Sequence, residues 1–117
     1  MSQLEALALT LVVELAVVAA FAIGLRFWPR PAWPRALAIA AAASLLSHPF
    51  AWWANTVALV TIPFHERAAI IELAVVGAEA ILYAVAAGLS WPRAVVVALV
   101  ANAASFGVGL VLAPYAL

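Results

Sequence analysis

Four long apolar segments constrain this chain more than any other feature of its sequence. They cover roughly Leu4–Phe27, Pro34–Leu59, Ala68–Leu89 and Pro92–Pro114. Each is long enough to cross the hydrocarbon core of a bilayer, which takes about 20 residues in an α-helix. Only 9% of the residues are charged, against about 25% in soluble domains. The sequence therefore predicts an all-α, polytopic membrane four-helix bundle, a single membrane domain over residues 1–117 whose main partner is the lipid bilayer.

Composition excludes several classes of function. The chain has no Cys, which excludes disulfides, thiolate metal sites and thiol catalysis. Its net charge is zero and it has no long basic run, so we expect no nucleic-acid partner. The N-terminus lacks the positive region of a signal peptide, so the first segment should remain as a membrane helix. Lys and Asp are absent, which is typical of GC-rich bacterial genomes and favours a bacterial inner (plasma) membrane.

The arginines predict an orientation. Four of the five lie in or beside the first and third connections between apolar segments, namely Arg26, Arg30, Arg35 and Arg93. Arg67 lies in the second connection, beside Glu66. The positive-inside rule then places the first and third connections in the cytoplasm and both termini outside, in the periplasm. Three tryptophans on the arginine side are predicted to form an aromatic belt: Trp28, Trp33 and Trp91.

The chain also repeats itself. The sequence ELAVV at 14–18 recurs at 72–76, and WPRA at 33–36 recurs at 91–94, with the same offset of 58 positions (72 − 14 and 91 − 33). Self-similarity at a fixed period indicates duplication of a structural unit. We therefore predict two tandem helical hairpins, residues 1–58 and 59–116. Because each has two spans, both enter the membrane in the same direction and are related by a pseudo-two-fold axis along the membrane normal.

Of the polar side chains inside the apolar segments, seven form the predicted intramembrane site: Glu14, Ser44, His48, Glu72, Glu79, Asn102 and Ser105. A charged group at the centre of a bilayer costs about 2.5–3.5 kcal/mol on insertion scales. These side chains should therefore face the interior of the bundle. Pro49 directly follows His48 and is predicted to kink the second helix there.

The duplication suggests a specific pair within this cluster. His48 aligns with Phe106, and Glu79 aligns with Phe21. Under the pseudo-two-fold axis, a contact between His48 and Glu79 would have Phe106–Phe21 as its symmetric mate. We hypothesise that one of two equivalent pockets became polar while the other was filled by aromatic rings.

Two functions fit these features. The first is a site that binds or passes a small cation or a proton. A divalent metal ion is one candidate cofactor, held by His48, Glu79 and Glu14, because Zn, Mn and Fe accept mixed nitrogen and oxygen ligands. The alternative to a cation or proton site is a purely structural role, in which protonated Glu side chains hydrogen-bond across helices.

The second possible function is that of a non-catalytic accessory or assembly subunit of a larger membrane complex. Its partner would be another membrane protein or further copies of the same chain. We expect no enzyme. His65-Glu66 begins an HExxH string, but position 69 is Ala, so the second zinc ligand is missing. Ser44 or Ser47 with His48 could pair nucleophile and base, yet no oxyanion-hole loop is evident.

The polar pattern resembles that of small four-helix bacterial inner-membrane proteins of unassigned function. In that family the string reads roughly Asn-x-x-Thr-His-Pro, and the first-helix Glu is often followed by x-Pro. The present chain departs from the pattern at Ser44, Ser47 and Ala16. The matching residues are Glu14, His48, Pro49, Glu72, Glu79, Asn102 and Ser105. The resemblance implies the architecture and the polar centre, and it supplies no activity.

Overall fold

The computed structural model describes residues 2–112, and four long helices make up most of it. They are α1 (Gln3–Ile23), α2 (Trp33–Trp53), α3 (Phe64–Val85) and α4 (Trp91–Leu112). A 3₁₀ turn (Arg30–Ala32) precedes α2, and a π-helical turn (Ala54–Ala58) follows it. All four helices are long and apolar enough to cross a membrane. The predicted four-helix, multi-pass architecture is confirmed, while the predicted end of the last segment, Pro114, lies outside the described residues.

The helices form a four-membered bundle in which α1 and α3 each pack on both α2 and α4. Small side chains at helical spacing are fully buried where these helices pack. Those exposed by 1% or less are Ala36, Ala40 and Ala43 on α2, and Ala94, Ala98 and Ala101 on α4. Small side chains allow membrane helices to approach closely. The two alanine stripes are also related by the repeat offset (94 − 36 = 58).

The two connections at the arginine-rich end, the end that carries Arg26, Arg35 and Arg93, share one backbone motif. Arg26 and Gly88 both adopt left-handed conformations, with φ of 53° and 73°. The next residue in each turn donates its N–H back to the preceding helix, 3.1 Å from Phe27 to the Phe21 carbonyl and 3.1 Å from Leu89 to the Tyr83 carbonyl. Such bonds satisfy carbonyl groups that a helix C-terminus otherwise leaves without a partner.

These two turns do not follow the repeat offset. The two turn residues lie 62 positions apart (88 − 26), four more than the repeat offset of 58. The difference arises because Phe27 lies six positions before Trp33, whereas Leu89 lies only two before Trp91. The first connection thus contains four additional residues, which is about one helical turn. Glu14 precedes its turn residue by 12 positions and Glu72 precedes Gly88 by 16. Glu72 therefore lies about one turn further from the arginine-rich end than Glu14 does.

A buried apolar cluster closes the bundle at this end. It is part of a larger buried core, and we call its members Phe21, Trp28, Tyr83, Ala87 and Leu89 the apolar plug. Trp28 is only 3% exposed, and its Nε1–H donates to the Ala87 carbonyl over 2.8 Å. The prediction that Trp28 belongs to an interfacial aromatic belt is therefore wrong. The additional residues of the first connection fold inward, so that Trp28 packs near the Tyr83 ring, with centroids 6.3 Å apart.

Candidate functional site

Two carboxyl groups meet at the centre of the bundle. Glu14 comes from α1 and Glu79 from α3, and their side chains are 0% and 1% exposed. The Glu79 carboxyl group lies within hydrogen-bonding reach of the Glu14 carboxyl group. Ionised carboxylates only accept hydrogen bonds, so a bond between them requires a proton on one of the two. We call these two residues the carboxyl pair.

Three side chains donate hydrogen bonds to the carboxyl pair, and all three are neutral. The Tyr83 hydroxyl donates to Glu14 Oε1 over 2.8 Å. The Ser47 hydroxyl donates to Glu79 Oε1 over 3.1 Å, and the Asn102 Nδ2 donates to Glu79 Oε2 over 3.1 Å. The network thus joins all four helices through two acids and three neutral donors.

One oxygen of the carboxyl pair remains free. Glu14 Oε2 is buried and receives no hydrogen bond from an amide, hydroxyl or basic group within residues 2–112. The other three oxygens of the pair each accept one from a named donor. A proton that binds at Glu14 Oε2 would therefore displace no existing hydrogen bond.

A cavity of about 340 Å³ extends from the end of the bundle opposite the arginine-rich end to Glu79 of the carboxyl pair. Its deep part is bordered by Ser47, Glu79 and Asn102. Nearer the opposite end, where α2 leaves the bundle and α3 begins, it is bordered by Asn55 and Phe64. We call it the polar cavity. None of its lining residues belongs to the apolar plug, so the polar cavity and the apolar plug occupy separate parts of the bundle.

The structure brings most of the sequence-predicted polar residues to this region. Glu14 and Glu79 form the carboxyl pair, and Asn102 binds it. The remaining cavity-lining members of the predicted set are His48, Glu72 and Ser105. Ser44 is fully buried, and its hydroxyl has no partner within the described residues.

Sequence reasoning missed Ser47 and Tyr83 as site residues. Ser47 precedes His48, and adjacent helical positions point about 100° apart. Spacing alone therefore places Ser47 and His48 on different faces of the helix, yet both border the polar cavity, which is wide enough to reach both faces. Tyr83 follows Glu79 by four positions and shares its helix face, a signal that was visible in the spacing.

The predicted His48–Glu79 pair is not formed. Both residues line the polar cavity, but Glu79 binds Ser47 and Asn102 and contacts Glu14, and the His48 Nε2 has no partner within residues 2–112. The suggested mate of this pair is not formed either. Phe21 lies in the apolar plug with its ring 4.9 Å from that of Phe27, whereas Phe106 borders the polar cavity.

The predicted metal site is also not assembled. Across residues 2–112, no group of three His, Asp or Glu side chains is placed to hold a metal ion. Glu14 and Glu79 meet, but His48 does not join them. A divalent ion would find two acids whose oxygens are largely occupied by neutral donors.

Comparison with known proteins assigns no family. No protein-family model, no curated protein and no solved structure matches the chain. The resemblance to small bacterial inner-membrane proteins is thus supported only in its architecture, four helices able to cross a membrane around a buried Glu14–Glu79 network.

Proposed function

We propose that this protein binds and releases protons at the carboxyl pair, through the polar cavity, rather than catalysing a reaction. One observation carries the proposal: two fully buried carboxyl groups contact one another beside a cavity that leads to one end of a membrane bundle. Ionisable groups at membrane depth commonly mark proton or ion pathways.

The neutral surroundings of the pair support protonation. Two ionised carboxylates in contact repel each other, and burial makes an uncompensated charge costly. No arginine or lysine donates to either acid among the described residues. A pair that shares one proton carries a single charge, and the three donors stabilise that charge.

A proton suits the site better than a metal ion does. Three of the four carboxyl oxygens accept hydrogen bonds from Ser47, Tyr83 and Asn102. A metal ion would have to replace those bonds and would need further ligands. A proton requires only the free Glu14 Oε2.

We further propose that the bundle arose by duplication of a hairpin and lies in a bacterial inner membrane. The matching alanine stripes of α2 and α4 support the duplication, since both copies use the same positions for close packing. The arginine-rich end would face the cytoplasm under the positive-inside rule. The polar cavity would then exchange protons with the periplasm.

Infrared spectroscopy of the protein in liposomes tests the proposal. We expect a protonated-carboxyl band at neutral pH that shifts in D₂O, because the polar cavity lets the pair exchange its proton with water. The double variant Glu14→Gln/Glu79→Gln should lose this band while keeping its helix content and elution volume. Glu66→Gln is the matched control, since Glu66 is exposed and should leave the band unchanged.

A wild-type protein without this band, or a double variant that retains it, would contradict the proposal. If the double variant instead keeps both its fold and a stably associated membrane protein, the result would favour an accessory subunit.

A further inference from the structure

We infer that the polar cavity binds a small organic monocation, such as a protonated amine or a quaternary ammonium ion, next to the carboxyl pair. This inference rests on the proposed proton function and names the class of ligand that the same site takes. Four properties of the cavity carry it: its size, the charge of its lining, its aromatic walls and an unused nitrogen.

The cavity is larger than a proton path requires. A proton can reach Glu79 along a few water molecules, each occupying about 30 Å³ in the liquid. The volume of about 340 Å³ has room for about ten such waters. Ligand sites in proteins begin at about 300 Å³, so the space is sufficient for a small organic molecule.

The lining selects for positive charge. Glu72 and Glu79 both border the cavity from α3, two helical turns apart. No arginine or lysine is among the described lining residues, and His48 is their only basic side chain. An anion would enter a negative field without a fixed counter-charge, whereas a cation would reduce the repulsion between the acids.

The walls favour an organic cation over an inorganic one. Trp52, Phe64 and Phe106 border the same space, and aromatic faces attract ammonium groups, most strongly where water is excluded. Apolar side chains such as Ile71 complete the wall. A metal ion would require several oxygen ligands in their place.

His48 supplies a polar atom that the protein itself does not use. Its Nε2 is buried and has no partner within residues 2–112, and its ring lies 6.1 Å from that of Trp52. Neutral imidazole nitrogen can accept a hydrogen bond from an ammonium group or donate one to a hydroxyl. His48 and Trp52 thus form one wall suited to an amphipathic cation.

Proton and cation should compete at this site. A cation beside the acids favours their ionised form, so its binding releases a proton from the pair to water. Linkage requires the reverse effect, that protonation weakens cation binding by the same factor. The affinity for the cation should therefore rise as the pH rises.

Calorimetric titration with choline tests the inference, using protein purified in a maltoside detergent. Its neutral carbon isostere, 3,3-dimethylbutan-1-ol, has the same shape without the charge. We expect choline to bind at least tenfold more tightly than the isostere, and more tightly at higher pH. Glu72→Gln should weaken choline binding at least tenfold, whereas the exposed control Glu66→Gln should not change it.

Three results would overturn the inference: no heat from choline, equal affinity for both compounds, or unchanged affinity in Glu72→Gln and Trp52→Leu. Both of these positions are only half-buried, so they test binding even if Glu79→Gln fails to fold. The infrared band of the same samples separates the two proposals. If the band is present and choline does not bind, only this inference fails. If the band is absent, the proton function fails.

Discussion

At the scale of single residues, the carboxyl pair is stabilised by hydroxyl and amide donors rather than by opposite charges. The pair crosses the diagonal of the bundle, since α1 and α3 both pack on α2 and α4. The Tyr83 hydroxyl spans the same diagonal to reach Glu14. It therefore links two helices and also binds one of the acids.

Tyr83→Phe tests this link. The substitution keeps the ring in the apolar plug and removes only the donor to Glu14 Oε1. Hydrogen bonds between membrane helices contribute about 0.6–2 kcal/mol, so we expect the free energy of unfolding to fall by about 1 kcal/mol in a detergent-unfolding titration. Thr56→Val is the control, because the Thr56 hydroxyl donates only to a carbonyl of its own helical segment. Equal losses in the two variants would contradict a special role for the Tyr83 bond.

The sequence predicts which residue types lie at membrane depth but not how they pair. Burial of the acids follows from the cost of charge in hydrocarbon, and Glu14, Glu79 and Asn102 are buried as expected. Pairing depends on the vertical register of α1 against α3. The four additional residues of the first connection change that register by about one turn. Repeat alignment does not include this change of register. It suggested His48 as the partner of Glu79, whereas the partners in the structure are Ser47 and Asn102.

At the scale of helices and turns, apolar length predicts the spans well and their ends less well. The first apolar segment was expected to continue to Phe27, but α1 ends at Ile23. The chain then turns through the left-handed Arg26 and buries Trp28. Hydropathy cannot distinguish an apolar residue that extends a helix from one that folds back under the bundle. The π-helical turn after α2 was not predicted either, and it carries Asn55 to the wall of the polar cavity.

Trp28→Ala tests whether the first connection closes the bundle. Large-to-small substitutions of buried aromatic side chains cost about 3–5 kcal/mol, and Trp28 also donates to the Ala87 carbonyl. We expect a loss in this range in the same unfolding titration. Trp91→Ala is the matched control, because Trp91 is 56% exposed and should cost much less. If the control loses as much as Trp28→Ala does, the plug does not carry the stability assigned to it.

At the scale of the whole molecule, the two ends of the bundle differ in kind. The arginine-rich end is filled by the apolar plug, whereas the opposite half holds the polar cavity down to Glu79. The proposed duplication relates the two hairpins, each of which contributes to both ends of the bundle. It does not make them equivalent, because Glu72 and Glu14 differ in depth by about one turn. The proposed proton function therefore depends on positions at which the two hairpins differ.

One-sided access is the last prediction, and single cysteines test it. The chain has no Cys, so each introduced thiol is unique. Ser105→Cys and Asn55→Cys border the polar cavity and should react with a membrane-impermeant, cationic methanethiosulfonate. Ala40→Cys, at a fully buried helix contact, should not react. An anionic reagent of similar size should react more slowly at Ser105→Cys, because Glu72 and Glu79 border the same space.

The same thiols test the orientation of the bundle. If the arginine-rich end is cytoplasmic, the reagent should modify Ser105→Cys when added to intact cells. Modification only in inverted membrane vesicles would show the reverse orientation and contradict the positive-inside prediction. Absence of reaction from both sides would mean that the cavity is closed to water, and neither protons nor an organic cation could then reach Glu79 by this route. Access from one side alone requires that any transfer across the membrane also open the plug beside Tyr83 and Trp28.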